Sequence, residues 1–401
     1  MSDGSVDQTR GLLSRRRLLK GAAGVAAIGV MPGVLAACGS DSGTTSSSAT
    51  TAGGSTAAES TGTVGGSLDY FGWEGVDLPE VLAPWKKDNG VDVHSSYIGG
   101  LKDIPAKYAG GGANGFDILG ASSNGVPLML ESGVPLMPLD KSQLPNLAGM
   151  NPFFRDSKAL QNENGELVAV PFSWGVMGIS YDSTKISEPK SWNDMLDPSL
   201  KNKITILDDA FTVFGTAAPT LGLQFEAMTQ EDFEKVKSYI AEVLTQVRTI
   251  SPSFGDMANV LASGEVVAGW CGYTSINAFA EEAGNPNIRT AIKMPEGSAS
   301  FAEIYCIPET GQNPDTAYSM INEVLDPTIN AEAADALVLA PTIDASWSKV
   351  NSTIKGLFPK SASERTAVLE KAPLVVNPPL QSTEYVTFAE LEQAWLELKS
   401  A

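Results

Sequence analysis

Hydrophobic positions follow two spacings along the chain, and the spacing separates predicted helices from predicted strands. Apolar residues from Leu78 to Trp85 recur three or four positions apart and predict one face of a helix that ends at Gly90. Residues Val91 to Tyr97 alternate between apolar and polar, as a half-buried strand does. Similar patterns predict strands at 68–71, 116–119, 266–270 and 304–307, a short helix at 104–109 and a longer one after residue 229.

The alternation of strands and helices predicts an α/β fold with mainly parallel sheets. The chain after residue 66 is about 335 residues long, which exceeds one hydrophobic core and predicts two lobes. The run from Gly110 to Gly115 matches the dinucleotide-binding spacing G-x-G-x-x-G. It follows a predicted helix and precedes a predicted strand, the reverse of the dinucleotide-binding order. We therefore interpret it as a helix end and a turn.

The first 37 residues predict export rather than folding. Three arginines and a lysine precede an apolar segment, residues 21–37, that is too short to span a bilayer as a helix. The arrangement resembles a twin-arginine signal peptide, which we predict over residues 1–37 and exclude from the fold.

A cysteine directly follows the predicted signal peptide. The segment Leu-Ala-Ala-Cys that ends at Cys38 resembles a bacterial lipobox, which predicts a lipid on this thiol. The alternative is a chance cysteine after an ordinary signal peptide. Residues 38–66 are almost wholly Gly, Ser, Thr and Ala, which predicts a disordered tether. We expect a lipid-anchored protein at the outer face of the cytoplasmic membrane or in the periplasm, with the envelope type left open.

The net charge of the chain argues against some classes of binding partner. It contains 47 acidic and 27 basic residues, a formal net charge of −20 at pH 7. Nucleic acid and anionic lipid both need a positive protein surface, so we expect neither as a partner. A cationic ligand is favoured, although many exported proteins are acidic for solubility alone.

Few residues suit metal binding or catalysis. The chain has one histidine, His94, and no Cys-x-x-Cys, so we expect no metal site and no cofactor. Cys271 and Cys306 lie in apolar segments, and the sequence leaves open whether they form a disulfide or remain buried thiols. The sequence also lacks the nucleophile-elbow, zinc-protease and phosphate-loop motifs. We therefore predict a protein that is not an enzyme.

Between residues 67 and 401 the chain contains short segments in a specific order. They are 70–74 (YFGWE), 115–118 (GFDI), 122–123 (SS), 170–179 (VPFSWGVMGI), 191–198 (SWNDMLDP), 207–210 (LDDA), 261–266 (LASGEV), 295–297 (PEG), 307–308 (IP) and 325–327 (LDP). Their order and spacing resemble the extracellular solute-binding proteins of ABC importers, and among these the spermidine/putrescine-binding group. No single segment is decisive.

The resemblance implies a two-lobed periplasmic-binding-protein fold of type II, in which hinge strands cross between two α/β lobes. Lobe 1 is predicted over residues 67–173 and 303–345, and lobe 2 over residues 174–302 and 346–401. The ligand would bind between the lobes, which would close around it. The protein, expected to be a monomer, would deliver the ligand to transmembrane permease subunits.

The resemblance also implies ligand-binding positions. In a polyamine site, aromatic rings contact the methylene groups and carboxylates pair with the ammonium groups. The positions are Trp73, Glu74, Ser122, Asn124, Asp209, Thr212, Trp270, Phe301, Glu303 and, by a loose match, Gln381.

Three positions depart from the polyamine-binding pattern. Val76 and Asn124 replace expected tyrosines, and Thr212 stands where a second carboxylate would follow Asp209 by three residues. One ammonium-pairing group is therefore lost or weakened. This leaves open a diamine, a different amine or a ligand that is not a polyamine.

Each candidate also has a structural interpretation. Aromatic side chains commonly lie in lobe cores, and Asp209 is placed to cap a following helix. Glu303 lies in an apolar predicted strand, where a carboxylate is costly unless it is paired. It is therefore the strongest single candidate for pairing with an ammonium group.

The leading hypothesis is a transport protein that binds a polyamine, such as putrescine or spermidine, or a similar small organic cation. A second hypothesis keeps the transport role with a sugar, an amino-acid-like solute or a carboxylate. No candidate position is Arg or Lys, which argues against an anion. An extracytoplasmic enzyme on a related fold is the remote alternative.

Overall fold

The computed structural model describes residues 63–111 and 115–400. The predicted signal peptide, Cys38 and residues 38–62 of the predicted tether lie outside the described residues, as do positions 112–114 of the glycine-rich run. The first described strand begins at Gly66, one residue before the predicted start of the folded part.

Strands and helices alternate through the described chain. The strands are β1 (Gly66–Gly72), β2 (Val91–Tyr97), β3 (Ile118–Ser122), β4 (Val170–Asp182), β5 (Ile204–Leu207), β6 (Val247–Ser251), β7 (Ala268–Tyr273), β8 (Ile288–Ala291), β9 (Ser300–Cys306) and β10 (Ala340–Pro341). The α-helices are α1 (Ala83–Asn89), α2 (Asp103–Ala109), α3 (Gly125–Glu131), α4 (Pro152–Arg155), α5 (Ala210–Thr220), α6 (Gln230–Leu244), α7 (Phe254–Ala262), α8 (Ile276–Glu282), α9 (Pro314–Val324), α10 (Pro327–Leu337), α11 (Ser352–Leu357), α12 (Ala362–Lys371) and α13 (Phe388–Leu398).

The long strand β4 joins two sheets. Its first half pairs with β9, and its second half pairs with β7 and β8. The resulting order is β2-β1-β3-β9-β4-β7-β5-β6, with β10 and β8 also paired to β4. All 13 residues of β4 are buried, because the strand crosses from one lobe to the other through the middle of the molecule. The predicted α/β fold with crossing strands is confirmed.

The prediction of mainly parallel sheets needs a correction. Within each lobe the strands joined by helices are parallel, namely β1 with β2 and β3, and β5 with β6 and β7. The pairs that involve the crossing strands β4 and β9 are antiparallel. The difference arises because a crossing strand enters a lobe from the opposite direction, and the hydrophobic pattern of a buried strand carries no sign of its direction.

Two large hydrophobic clusters form the lobe cores. The first surrounds Leu68, Trp174 and Tyr305, and the second surrounds Phe214 and Trp270. A smaller cluster lies under α7 and α8. The described residues therefore divide into two separately packed units, as the length of the chain predicts.

The C-terminal part is divided differently from the predicted boundary at residue 346. Ile354, Phe358 and Leu369 pack in the first core, because α11 and α12 cover Trp174 from outside. The ring of Phe358 lies 5.1 Å from that of Trp174. The chain joins the second core only from Val375 onward.

Several predicted element ends agree with the structure. Gly90 caps α1 in the left-handed conformation, with φ 62°, and Gly110 caps α2. The hydroxyl of Thr229 accepts a hydrogen bond from the backbone N–H of Asp232 at the start of α6. The helix predicted from residue 78 is wrong at its start, since Leu78 has φ 48° and α1 begins only at Ala83.

Candidate functional site

Three side chains form a row across the centre of the molecule. In the register of the sheet, Ser122 of β3 and Ser173 of β4 lie directly opposite Glu303 of β9, one on each side. Directly opposed residues on neighbouring strands project to the same face. The sheet therefore presents a carboxylate between two hydroxyl groups, where the first lobe meets the crossing strands.

Solvent reaches Ser122 and Glu303 in this row, whereas Ser173 is buried, and we call the partly exposed surface around Glu303 the crevice. The strands β3, β7 and β9 are buried except at four positions, which are partly exposed: Ser122, Tyr273, Phe301 and Glu303. These positions lie at the carboxyl ends of β3 and β7 and on the alternate residues of β9 that face them. Ligand crevices in α/β folds form at such strand ends, where loops converge.

Glu303 is a carboxylate without a cationic partner. Both of its carboxylate oxygens lie within hydrogen-bond distance of the Ser122 hydroxyl, at 3.3 and 3.2 Å. Burial raises the pKa of Glu303 from 4.5 to about 7, and the Ser122 hydrogen bond opposes this only in part. No basic side chain among the described residues pairs with it. A bound cation would remove the cost of burying this charge.

Aromatic rings that pack on the second core lie near the carboxylate. Phe301 lies two residues before Glu303 on the same face of β9, and its ring is 5.8 Å from that of Tyr273 in an edge-on arrangement. Tyr273 belongs to the second lobe, and burial followed by the nearby charge of Glu303 raises its pKa. Phe254, at the start of α7, packs on Tyr273 with ring centroids 4.4 Å apart. Phe301, Tyr273 and Phe254 therefore form an aromatic group of the second core next to Glu303.

Gly175 allows the Phe301 ring to take this position. It lies opposite Phe301 in the β4–β9 register, and a Cβ atom at Gly175 would lie 2.5 Å from the ring. Real Cβ atoms do not approach other atoms so closely, so any side chain here would displace Phe301.

The loop that follows β1 carries Trp73 and is fixed by two tyrosines. The hydroxyl of Tyr70 donates a 2.9 Å hydrogen bond to the carbonyl of Trp73, and the hydroxyl of Tyr305 donates to the carbonyl of Val76. The backbone N–H of Trp73 donates to the carbonyl of Gly120 in β3. Trp73 is partly exposed, and its indole N–H has no hydrogen-bond partner. These bonds hold the backbone of Trp73 beside β3, where a partly exposed aromatic side chain suits a binding surface.

The residues after β3 are tied to β9. The backbone N–H of Ser123 donates to the carbonyl of Ala302, and the Ser123 hydroxyl accepts from the Ala302 N–H. Asn124 follows at the start of α3 and is 7% exposed. These bonds hold Ser122 opposite Glu303.

The second predicted carboxylate has a structural task. Asp209 caps α5, and its Oδ1 accepts a 2.7 Å hydrogen bond from the backbone N–H of Thr212. The side chain of Asp209 is exposed, and Thr212 is buried at 8% exposure. The neighbouring Asp208 accepts from the indole of Trp395 and the ammonium of Lys399. The geometry favours the helix-cap interpretation of Asp209.

Trp270 lies in the core of the second lobe. It has no exposed surface, and its ring packs edge-on against Trp192 at 5.5 Å. The next residue, Cys271, has φ 61°, and the pairing of β4 with β7 is irregular beside it. This irregularity changes the direction in which the side chains at the end of β7 point. The core interpretation of Trp270 is favoured, and Tyr273 is the aromatic residue of β7 that reaches the crevice.

The remaining candidates are exposed. Glu74 follows Trp73 in the β1 loop, and Gln381 lies between α12 and α13. The neighbour of Gln381, Leu380, donates its backbone N–H to the carboxylate of Glu131 at 2.7 Å, which links the segment to α3 of the first lobe. No contact of Gln381 with Glu303 is among those described.

Sequence reasoning missed Ser173 and Tyr273. Ser173 follows Phe172 in a strand without polar alternation, and only its pairing with Glu303 reveals it. Tyr273 had a usable signal, because it is the last residue of an apolar strand and strand ends of parallel sheets face the crevice.

The described residues hold no further chemical centre. Cys271 and Cys306 are both buried free thiols. No group of three or more His, Cys, Asp or Glu side chains in residues 63–111 and 115–400 could hold a metal ion. Within the same residues, none of the helices has both the length and the apolar character that a bilayer crossing requires.

Two α/β lobes are joined by crossing strands, and among the described residues these strands carry a carboxylate with no basic partner and with aromatic rings nearby. This arrangement is typical of a two-lobed binding protein. Residues 80–353 match the family model described as bacterial extracellular solute-binding protein. The chain therefore belongs to this family. The predicted resemblance is confirmed at this level.

Relatives and solved structures agree with the family. The chain is 25% identical over 313 residues to the putrescine-binding periplasmic protein PotF of Escherichia coli, covering 73% of this chain and 83% of the relative. It is 26% identical over 347 residues to spermidine/putrescine-binding periplasmic protein 1 of Haemophilus influenzae, covering 86% and 92%. The spermidine/putrescine ABC transporter substrate-binding protein PotD of Streptococcus pneumoniae superposes with a TM-score of 0.70 at 21% identity, covering 83% and 98%. The structural likeness supports the same fold.

Proposed function

We propose that this protein captures a polyamine or a similar small organic cation between its lobes and delivers it to the permease of an ABC importer. The observation that carries the proposal is Glu303, a partly exposed carboxylate beside which the described residues place no basic side chain. The relatives named as putrescine- and spermidine/putrescine-binding proteins support the same class of ligand.

The chemistry of the crevice suits an ammonium group with an attached carbon chain. A charge-assisted hydrogen bond to Glu303 would contribute about 1.5–3 kcal/mol. The faces of Phe301, Tyr273 or Trp73 would add about 0.5–2 kcal/mol each by cation–π contact, and would also cover methylene groups. The hydroxyl groups of Ser122 and Ser173 flank the carboxylate and are able to accept the remaining ammonium protons.

Isothermal titration of the purified full-length protein with putrescine and spermidine at pH 8 tests the ligand. We expect saturable heat with at least one of them, and a tenfold or greater loss of affinity in Glu303→Gln, because the amide has the same shape without the charge. Glu309→Gln serves as the matched control, since Glu309 lies on the same segment and is exposed. The affinity of the Glu309→Gln variant for putrescine and spermidine should equal that of the wild type.

Two results would contradict the proposal. Absence of heat and of a thermal shift with every polyamine would remove the ligand class. Unchanged affinity in Glu303→Gln would show that this carboxylate does not pair with the ligand.

We also propose that a lipid on Cys38 holds the protein at the membrane after export by the twin-arginine route. The basic, apolar and small-residue segments before Cys38 support this. In a membrane fractionation, Cys38→Ala should move the protein from the membrane to the soluble fraction. A variant that stays with the membrane as the wild type does would exclude lipid on this cysteine as the anchor.

A further inference from the structure

The acidic residues around the crevice differ in how much of their charge is already satisfied. A carboxylate that accepts several hydrogen bonds from fixed donors is stable as an anion without a cation. A buried carboxylate with few donors needs a cation or a proton. The number of hydrogen-bond donors at each carboxylate therefore indicates whether that carboxylate needs a cation from the ligand.

Asp77 is buried, with 6% of its surface exposed, and its charge is satisfied by the protein. Its Oδ1 accepts from the backbone N–H of Gly75 at 3.1 Å. Its Oδ2 accepts from the hydroxyl of Ser95 at 2.7 Å and from that of Tyr97 at 3.0 Å. Three donors occupy the carboxylate, so an added ammonium group would have to replace one of them.

The other carboxylates near the strand ends are in water or already paired. Asp209 and Glu74 are exposed, and Asp209 also caps α5. The carboxylate of Asp208 accepts hydrogen bonds from the ammonium of Lys399 and the indole of Trp395. An ammonium group next to an exposed carboxylate gains little, because such pairs are worth at most about a fivefold change in affinity.

Glu303 differs from the other carboxylates because it is largely buried and accepts few hydrogen bonds. It is largely removed from solvent, its one described side-chain donor is the Ser122 hydroxyl, and no basic group in residues 63–111 and 115–400 neutralises it. Of these carboxylates, it is the one whose environment improves when a single positive charge arrives.

We infer that the crevice recognises an amine through one ammonium group at Glu303 and leaves any second charge of the ligand in solvent. The inference rests on the proposed function and specifies its ligand class. Monoamines with an apolar chain and diamines of the same length then bind with similar affinity. The number of charges on the ligand has little influence beyond the first.

The groups named next to Glu303 are uncharged, which agrees with a site for one ammonium group. Phe301 and Tyr273 present aromatic surface next to Glu303. Within the described residues, the indole N–H of Trp73 and the hydroxyl group of Ser173, which lies opposite Glu303, have no hydrogen-bond partner. These groups suit methylene groups or uncharged polar atoms, and none of them neutralises an ammonium group.

The test compares n-butylamine with putrescine, which share a four-carbon chain and differ by one ammonium group. Titration calorimetry of the full-length protein at pH 8 gives both dissociation constants. We expect putrescine to bind no more than tenfold more tightly than n-butylamine. A larger advantage for putrescine overturns the inference while leaving the polyamine proposal intact.

Failure of the proposed function gives a different result, because then neither amine binds. The variant Asp209→Asn tests whether Asp209 pairs with a second ammonium group of putrescine. Asparagine also caps helices, so we expect the variant to keep the fold. We expect it to change the affinity for putrescine and for n-butylamine by the same factor, less than threefold. A selective loss of putrescine binding would show that Asp209 neutralises a second ammonium group and would overturn the inference.

Discussion

Glu303 and Asp209 are carboxylates predicted for the same task, and the two lobes give them opposite surroundings. Glu303 lies in the middle of β9 between two serines, largely removed from water and without a basic partner in the part of the chain that the structure describes. Asp209 lies at the end of β5, exposed, with an oxygen bonded to the first turn of α5. No basic side chain of the described residues pairs with Glu303, whereas Asp209 caps a helix of the protein itself.

The difference shows how position in an element decides what a carboxylate does. At a helix start, unpaired backbone N–H groups supply donors, so an aspartate there is satisfied locally. In the interior of a strand, the backbone groups are used by the neighbouring strands, and a side-chain carboxylate depends on other side chains. The side-chain hydrogen-bond donor described for Glu303 is the hydroxyl group of Ser122.

The largest expected effect is on the stability of Glu303→Gln. The folded protein raises the pKa of this carboxyl group from 4.5 to about 7, so the folded state holds a proton that the unfolded chain releases. Wild-type stability attributable to this group is intact below pH 4 and is lost as the pH rises to 7. At pH 8 in the absence of ligand, the glutamine variant should be more stable by about 3 kcal/mol. Urea denaturation at pH 8 and at pH 5 measures the difference, which should be smaller at pH 5.

The exposed Glu309 provides the control for this measurement. Glu309→Gln should leave the free energy of unfolding within about 0.5 kcal/mol of the wild type at both pH values. Equal stability of Glu303→Gln and the wild type at pH 8 would mean that Glu303 is well solvated, which would remove the reason for it to attract a cation.

The next effect is the pH dependence of ligand affinity. An alkylammonium ligand stays protonated below about pH 9, as a lysine side chain does, while Glu303 must ionise to pair with it. Affinity should therefore rise about tenfold per pH unit below pH 7 and level off above pH 8. Titrations at pH 6, 7 and 8 test this. The Glu303→Gln variant should bind weakly and equally at all three, and a flat wild-type profile would be inconsistent with the pKa of about 7.

The smallest effect concerns Asp209. Replacement of a helix cap by alanine costs about 1 kcal/mol, and serine retains the cap. Asp209→Ala should therefore lower the free energy of unfolding by about 1 kcal/mol, Asp209→Ser should restore most of it, and neither should change ligand affinity by more than threefold. Denaturation and titration of the same samples separate the two roles. A large loss of affinity in both variants would restore Asp209 to the site.

The sequence by itself determined the class of fold and singled out Glu303 as the strongest candidate for the site. Alternation of apolar positions located β2, and cap residues such as Thr229 and Gly90 marked helix ends, because these signals act between residues that are close in the chain. Glu303 was identifiable for a related reason, since a carboxylate inside an apolar strand conflicts with its neighbours in the sequence.

Tertiary structure alone decided the direction and register of the crossing strands. Their register places Ser173 and Ser122 beside Glu303, although the three residues are far apart in the sequence. It also decided that Trp270 is enclosed by its lobe and that Tyr273 reaches the crevice, because the irregularity at Cys271 turns the end of β7. A buried strand is apolar on both faces, so its own residues do not show which neighbours it will meet. That information exists only in the pairing between strands that the chain brings together from distant positions.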